Sequence, residues 1–305
     1  MIKYIPIAFH NSYNLNLPKG HRFPMEKYKL LPEKLIKQGI SKKTDFFLPD
    51  YPSIKSVVEV HDEQYVLKLK NLKLTRSEIR KIGFPLSKEL IDREFLIAGG
   101  TIMGANKALE YKISMNIAGG THHSFSDRGE GFCLLNDQAI AANHLLKNHN
   151  INKVLIIDLD VHQGNGTASI FKSNNKVFTF SMHGAKNYPF KKEKSDLDIG
   201  LKDHISDSEY LNILKETLQA LIKKVRPDFI FYLSGVDVIK TDKLGRLSLS
   251  LDGCRDRDRF VFSLCKKENI PVQCSMGGGY SEDIDIIVEA HLNTFKMAKE
   301  IYLTI

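Results

Sequence analysis

An α/β fold, with one parallel sheet covered by helices on both faces and a single domain over 1–305, is what this sequence predicts. Three observations predict it. Short apolar runs rich in β-branched residues recur at 154–158, 177–181, 229–233 and 272–275. Helical stretches at 207–225, 254–268 and 284–302 separate most of them, and such alternation makes a parallel sheet buried on both sides. Polar residues follow every run, and open α/β sheets bind ligands beyond the carboxyl ends of their strands.

The opening ~50 residues, with Pro18, Pro24, Pro32, Pro49 and Pro52, read as loops around a short helix at 25–38. Segments 63–71, 75–81 and 87–111 read as helices. In the last of these, Gly99-Gly100 and Gly104 indicate close helix packing. Asn136-Asp137 starts a further helix.

Composition bounds the function. With 305 residues, 42% of them hydrophobic and 26% charged, the chain has the make-up of a soluble globular protein. Its net charge of +8 comes from scattered lysines. No basic run is interleaved with aromatics, which argues against nucleic acid as a partner. Cys133, Cys254, Cys265 and Cys274 form no Cys-x-x-Cys pair and suggest no disulfide scaffold. Met1-Ile2-Lys3-Tyr4-Ile5-Pro6 carries no long apolar stretch of a signal peptide, and no run is long enough to span a membrane. A cytoplasmic protein is expected.

Candidate chemistry sits where the runs end. In Asp158-Leu159-Asp160-Val161-His162, residues two apart face one way in extended chain. A carboxylate beside an imidazole suits Zn²⁺. Asp237, ending another run, is the natural third ligand beside Asp160 and His162, which leaves one coordination position open. A lone aspartate at a strand end usually caps a turn or a helix. The full pattern Asp-x-Asp-x-His-x-Gly-x-Gly with a distant Gly-Val-Asp is far more specific. Gly119-Gly120-Thr121-His122-His123 supplies adjacent imidazoles for acid–base work near neutral pH. Gly277-Gly278-Gly279-Tyr280 lets backbone approach a ligand and places a phenol where it can donate to an oxyanion.

Together these stretches resemble the histone deacetylase superfamily, which shares an arginase-like α/β fold. The resemblance runs from about residue 18 to the chain end, and also takes in Gly131-Phe132-Cys133, Ser234-Gly235-Val236-Asp237 and Asp242-Lys243-Leu244-Gly245. His122-His123-Ser124-Phe125-Ser126-Asp127-Arg128 and His162-Gln163-Gly164-Asn165-Gly166 look most like the class IV branch and its bacterial relatives.

The resemblance implies roles residue by residue. Asp160, His162 and Asp237 would hold Zn²⁺, with Fe²⁺ as the alternative in the cell. His122 and His123 would be the catalytic pair, Asp158 would orient His122, and Tyr280 would donate to the oxyanion. Phe132 and Tyr188 would flank a lysine tunnel with Leu244 at its wall, and the Gly131 backbone would meet the substrate amine. Arg22 would lie near an internal channel below the zinc. A structural K⁺ would sit near Asp158, the His162 backbone and Ser181. Many class I members carry Asp where this chain has Asn165, so His123 is expected to stay neutral more readily and serve as the base.

The expected substrate is an acyl-lysine of a protein or peptide, the alternative a small acylated amine such as an acetylpolyamine. An arginase-like pair of manganese ions would need a carboxylate at Gly164. A binding scaffold without catalysis would be expected to have lost a ligand or the tyrosine. Acyl chain length and oligomeric state are not encoded in these motifs.

Overall fold

The computed structural model describes residues 3–303, so residues 1, 2, 304 and 305 of the expected 1–305 domain lie outside the described residues, as do Met1 and Ile2 of the N-terminal reading. Eight strands form one sheet: β1 (Ile7–Ala8), β2 (Phe46–Phe47), β3 (Ile113–Asn116), β4 (Val154–Asp158), β5 (Val177–Gly184), β6 (Leu197–Leu201), β7 (Phe229–Leu233) and β8 (Val272–Ser275). Their spatial order is β2-β1-β3-β8-β7-β4-β5-β6, and every pairing is parallel. The predicted α/β class therefore holds.

Each predicted run became a strand, and β5 continues three residues beyond the expected 181 to Gly184. Half of the sheet was not foreseen. β1 and β2 are two residues each, too short to leave a periodic signal, and they lie in the segment expected to be loops. β3 carries Ser114 and Asn116 inside a fully buried strand, and β6 is an edge strand whose residues are mostly half-exposed. Polar content hides the first and partial exposure the second.

The ten α-helices are α1 (Lys27–Lys37), α2 (Ile54–Val58), α3 (Glu63–Lys70), α4 (Arg76–Ile82), α5 (Lys88–Tyr111), α6 (Asp137–Asn148), α7 (Asn165–Phe171), α8 (Asp207–Val225), α9 (Leu251–Lys267) and α10 (Ile284–Leu303), counted among the described residues. α5 packs on α6 and over β1, β3 and β8, while α1, α10, α9 and α8 pack in succession as a second layer. Local sequence sets their starts. Thr75 with Glu78 and Ser206 with Glu209 form reciprocal caps, each satisfying backbone N–H groups that open a helix. α9 begins three residues before the expected 254 because the Ser250 hydroxyl accepts from Gly253 N, so Gly253 sits inside the helix. On α8, buried Tyr210, Leu214, Leu218, Leu221, Ile222 and Val225 recur at helical spacing and face the core.

The order of strands decides where chemistry can sit. β8, β7, β4 and β5 are consecutive neighbours. Register places Asp158 beside Leu233 of β7 and Ser181 of β5, with Leu233 beside Ser275 of β8. The loops that follow these strands thus converge at one edge of the sheet.

Candidate active site

β4 delivers Asp158, and the chain beyond it delivers Asp160 and His162. The three are fixed like rungs: Asp160 N donates to Asp158 Oδ1 at 3.1 Å, and His162 N donates to Asp160 Oδ1 at 3.0 Å. Asp237 arrives from the loop after β7. One ligand atom each from Asp160, His162 and Asp237 lies within 4.8 Å of the others, all three residues being buried.

Backbone N–H groups hold both oxygens of Asp160 and one oxygen of Asp237. Gly278 N donates to Asp160 Oδ2 at 2.8 Å, and Val161 N donates to Asp237 Oδ1 at 2.9 Å. Asp160 Oδ1 and Asp237 Oδ2 then face His162 Nδ1, at 3.0 and 3.2 Å. Asp237 Oδ2 has no well-aligned hydrogen-bond partner although it is fully buried. A buried carboxylate oxygen left without a partner is costly unless something positive meets it. Two convergent carboxylates, one with an oxygen that lacks an aligned hydrogen bond, and an imidazole form a donor set that suits a divalent zinc-like ion.

Protein charges alone respond as expected for that crowding. Burial pushes the Asp237 carboxyl up, and the charge of Asp160 adds to this, to about 7. Burial depresses His162, but Asp160 and Asp237 outweigh it and hold its imidazole at about 10. His162 thus brings positive charge between the two carboxylates, a role that a bound metal ion would take over.

The histidine pair sits above this cluster. His122 Nδ1 lies 2.7 Å from Asp158 Oδ2, and His123 Nδ1 lies 2.6 Å from Asn165 Oδ1. Their rings are 4.1 Å apart. Burial works against a charged His122, yet Asp158 and Asp160 raise it to about 8. Burial, then the charges of His122 and His162, hold His123 well below its ordinary range, with the Asn165 hydrogen bond opposing weakly. Two neighbouring imidazoles are therefore set apart by their partners, a carboxylate for one and a neutral amide for the other.

Tyr280 stands across the cavity, its ring 6.5 Å from that of His162. Burial and the nearby Asp160 and Asp237 keep its phenol protonated far into the alkaline range, as a hydrogen-bond donor must be. The glycines before it are structural necessities. A Cβ on Gly278 would fall 2.0 Å from Asp237 Oδ2, and Gly277 has φ +74°.

Gly131, Phe132, Tyr188 and Leu244 line an outer pocket of about 450 Å³ that reaches His123, His162 and Tyr280. Tyr188 meets the His123 ring edge-on at 4.9 Å and donates its hydroxyl to Glu130 at 2.6 Å. An inner void of about 40 Å³ lies on the far side of His123, Asp160 and His162, walled by Tyr28, Arg93, Ile97 and Gly277 among others.

Arg22 departs from expectation. It lines the outer pocket and not the inner void, standing exposed with its guanidinium 5.0 Å from the Phe132 ring centroid. The reason is local: Phe23 turns into the core, which leaves Arg22 in water. The cations that go inward are Lys27 and Arg93. Lys27 is fully buried, its Nζ donating to Gly277 O at 3.3 Å, and burial lowers it to about 8 against the pull of Asp237 and Asp160. Arg93 lies over the Tyr28 ring at 4.9 Å and pairs with Glu94. Of the expected K⁺ set, β-pairing puts Asp158 and Ser181 side by side, and the Ser181 hydroxyl is engaged by His183 Nδ1 at 2.9 Å.

Two organising residues had no role assigned from sequence. Asp242 accepts from Leu244 N and Gly245 N with Oδ1 and from Tyr280 N with Oδ2, joining the outer-pocket wall to the backbone that carries Tyr280. Its signal was the Asp242-Lys243-Leu244-Gly245 stretch itself. Arg257, fully buried beside Asp258, donates to Leu159 O, Ser234 O and Gly235 O, and so ties together the two loops that carry Asp160 and Asp237. Nothing in the charged run around it distinguishes it.

Residues 21–295 match the histone deacetylase domain family. The chain belongs to the histone deacetylase family. That membership supports deacetylase hydrolysis in general terms. An uncharacterized protein of Picosynechococcus sp. (strain PCC 7002) is 41% identical over 97% of this chain and 99% of its own length. Histone deacetylase 2 of Arabidopsis thaliana is 30% identical over 90% of this chain and 74% of its own. The acetoin utilization protein AcuC of Staphylococcus aureus is 28% identical over 86% and 73%. The crystal structure of the HDA15 HD domain superposes with a TM-score of 0.82 at 19% identity, covering all of this chain and 90% of that one, and shows the shared fold.

Proposed function

We propose that this family member hydrolyses the amide of an Nε-acyl-lysine, releasing lysine and a carboxylate, with Zn²⁺ held by Asp160, His162 and Asp237. The observation that carries this reading is the clustering of three buried ligand atoms within 4.8 Å of one another, with an Asp237 Oδ2 that lacks an aligned hydrogen bond, beneath a histidine pair and a tyrosine. A bound Zn²⁺ or Fe²⁺ supplies Lewis acidity, polarising the acyl carbonyl and lowering the pKa of a water.

The chain's own groups do the rest. His123, neutral and backed by Asn165, takes a proton from the attacking water through the ring nitrogen not bonded to Asn165. Tyr280 donates its phenol proton in a hydrogen bond to the oxyanion developing on the acyl carbonyl. His123 then returns a proton to the leaving amine. His122, held by Asp158, keeps a positive charge near the reacting centre. Phe132 and Tyr188 hold the lysine stem and keep bulk water away. The inner void of about 40 Å³ has room for a few waters, which favours acetyl over long acyl groups.

A binuclear site finds no support. A Cβ on Gly164 would fall 2.3 Å from Asp158 Oδ2, which leaves no room for a bridging carboxylate there. We also infer one catalytic domain and a reducing, cytoplasmic setting, which the four buried free thiols support. No helix among the described residues is long and apolar enough to cross a membrane.

The test is turnover of one lysine peptide carrying acetyl, octanoyl or myristoyl, with metal quantified per chain. One metal per chain and acetyl-lysine hydrolysis are expected. A folded, metal-loaded protein that hydrolyses none of the three would end the proposal.

A further inference from the structure

We propose that the pocket mouth selects acyl-lysines set in acidic peptide segments; this rests on the hydrolysis proposed above and adds the charge of the substrate. The charged residues lining the mouth, besides the histidines, are Arg22, Lys81, Lys186, Lys243 and Arg246, and none is acidic. All five are exposed.

Their compensation is incomplete. Lys186 and Arg246 share a single carboxylate, Asp203, at 3.6 and 3.0 Å, and Lys243 meets Glu282 at 3.0 Å. Arg22 and Lys81 form no ion pair among the described residues. Glu130, beside the pocket-lining Gly131, is taken up by Arg128 at 2.9 Å and by the Tyr188 hydroxyl at 2.6 Å. Set against Asp203 and Glu282, the five cations leave an excess of three positive charges around a concave opening, which focuses a positive potential on whatever enters.

That field sorts substrates. A basic tail or an acylated polyamine brings further cations to the rim and is repelled, whereas carboxylates flanking the acyl-lysine are attracted. The small-amine alternative weighed from sequence loses ground for this reason. Phe190, 91% exposed on the same rim, offers apolar area that a peptide can cover and a short amine cannot.

The experiment uses the full-length metal-loaded protein and three acetyl-lysine peptides, identical except for Asp/Glu, Gly/Ser or Lys/Arg on both flanks. At low salt kcat/KM should fall roughly tenfold from acidic to neutral and again to basic, and the three should converge at high salt. The double variant Arg22→Glu, Lys81→Glu should reverse the ratio of acidic to basic peptide. Equal turnover of the three at low salt, or preference for the basic one, overturns this inference alone. No turnover of any peptide overturns the hydrolysis reading with it.

Discussion

At the floor of the pocket Asp158, Asp160 and Asp237 are at most 3% exposed, while at its mouth Arg22, Lys81 and Lys243 stand in solvent. The two regions are built on opposite charge and opposite dielectric. Buried carboxylates interact strongly and are each pinned by backbone N–H groups, so a small displacement there is expensive. Exposed cations are screened and mobile, so each contributes little alone and the set acts through its summed field. On the proposed reading the floor performs the chemistry and the mouth the choice, and variants should separate them.

The largest effect is expected at the floor. Asp237→Asn removes the carboxylate charge that faces His162, and should cost roughly a thousandfold or more in turnover, with metal content falling in parallel. Elemental analysis and single-turnover rates check it; full metal occupancy with normal turnover would erase the contrast with the mouth. Tyr280→Phe should lose roughly 10²–10³-fold in kcat, the scale of one oxyanion donor, while metal content stays at the parent level. A Phe variant that also lost its metal would show that Tyr280 supports the cluster and not the oxyanion.

His61 tells loss of the site from loss of the fold. It lies outside the metal cluster, fully buried, its Nδ1 2.9 Å from Phe125 O and its Nε2 accepting from Asn136 N at 3.0 Å. Burial lowers it from 6.5 to about 4, so in that window the unfolded chain binds a proton that the folded chain does not. Stability from this residue is therefore complete above pH 6.5 and declines as pH falls toward 4, by about 3 kcal/mol in all. Denaturation midpoints across that range, in parent and His61→Gln, measure it. An unchanged slope in the variant would assign the acid sensitivity elsewhere.

The smallest effect belongs to the mouth. Single replacements such as Lys81→Ala or Lys243→Ala should change kcat/KM on an acidic peptide by roughly two- to threefold and leave metal content alone, because screened exposed charges are each worth a fraction of a kcal/mol. Salt titrations of kcat/KM resolve it. A loss as large as that of Tyr280→Phe would blur the division between the two regions.

Sequence made the floor readable and pointed to Gly131, Phe132, Tyr188 and Leu244 in the outer pocket, but not to the cations around its mouth. Asp160, His162, His122, His123 and Tyr280 sit in short contiguous patterns at strand ends, where local spacing carries the chemistry. The same holds for β4, β5, β7 and β8, whose apolar runs announced themselves. β1 and β2 are too short to show a period, and β6 is a half-exposed edge. Lys27, Arg93 and Arg257 matter through partners far away in sequence, as when Arg257 reaches Leu159 O and Gly235 O. The rim cations are scattered through residues 22–246 and look like ordinary surface until the fold gathers them. Arg22 was misplaced for the same reason: which of two basic residues, Arg22 or Lys27, turns inward depends on where Phe23 packs.

Because β3, β8, β7 and β4 lie side by side, the histidine pair, Tyr280, Asp237 and the Asp158–His162 stretch emerge within about three interstrand steps, roughly 14 Å. The flanking strands β2 and β1 on one side and β5 and β6 on the other frame that span. Descendants of such a scaffold could lengthen, decorate or replace those borders, and so acquire new docking modules, while inheriting an untouched reaction centre.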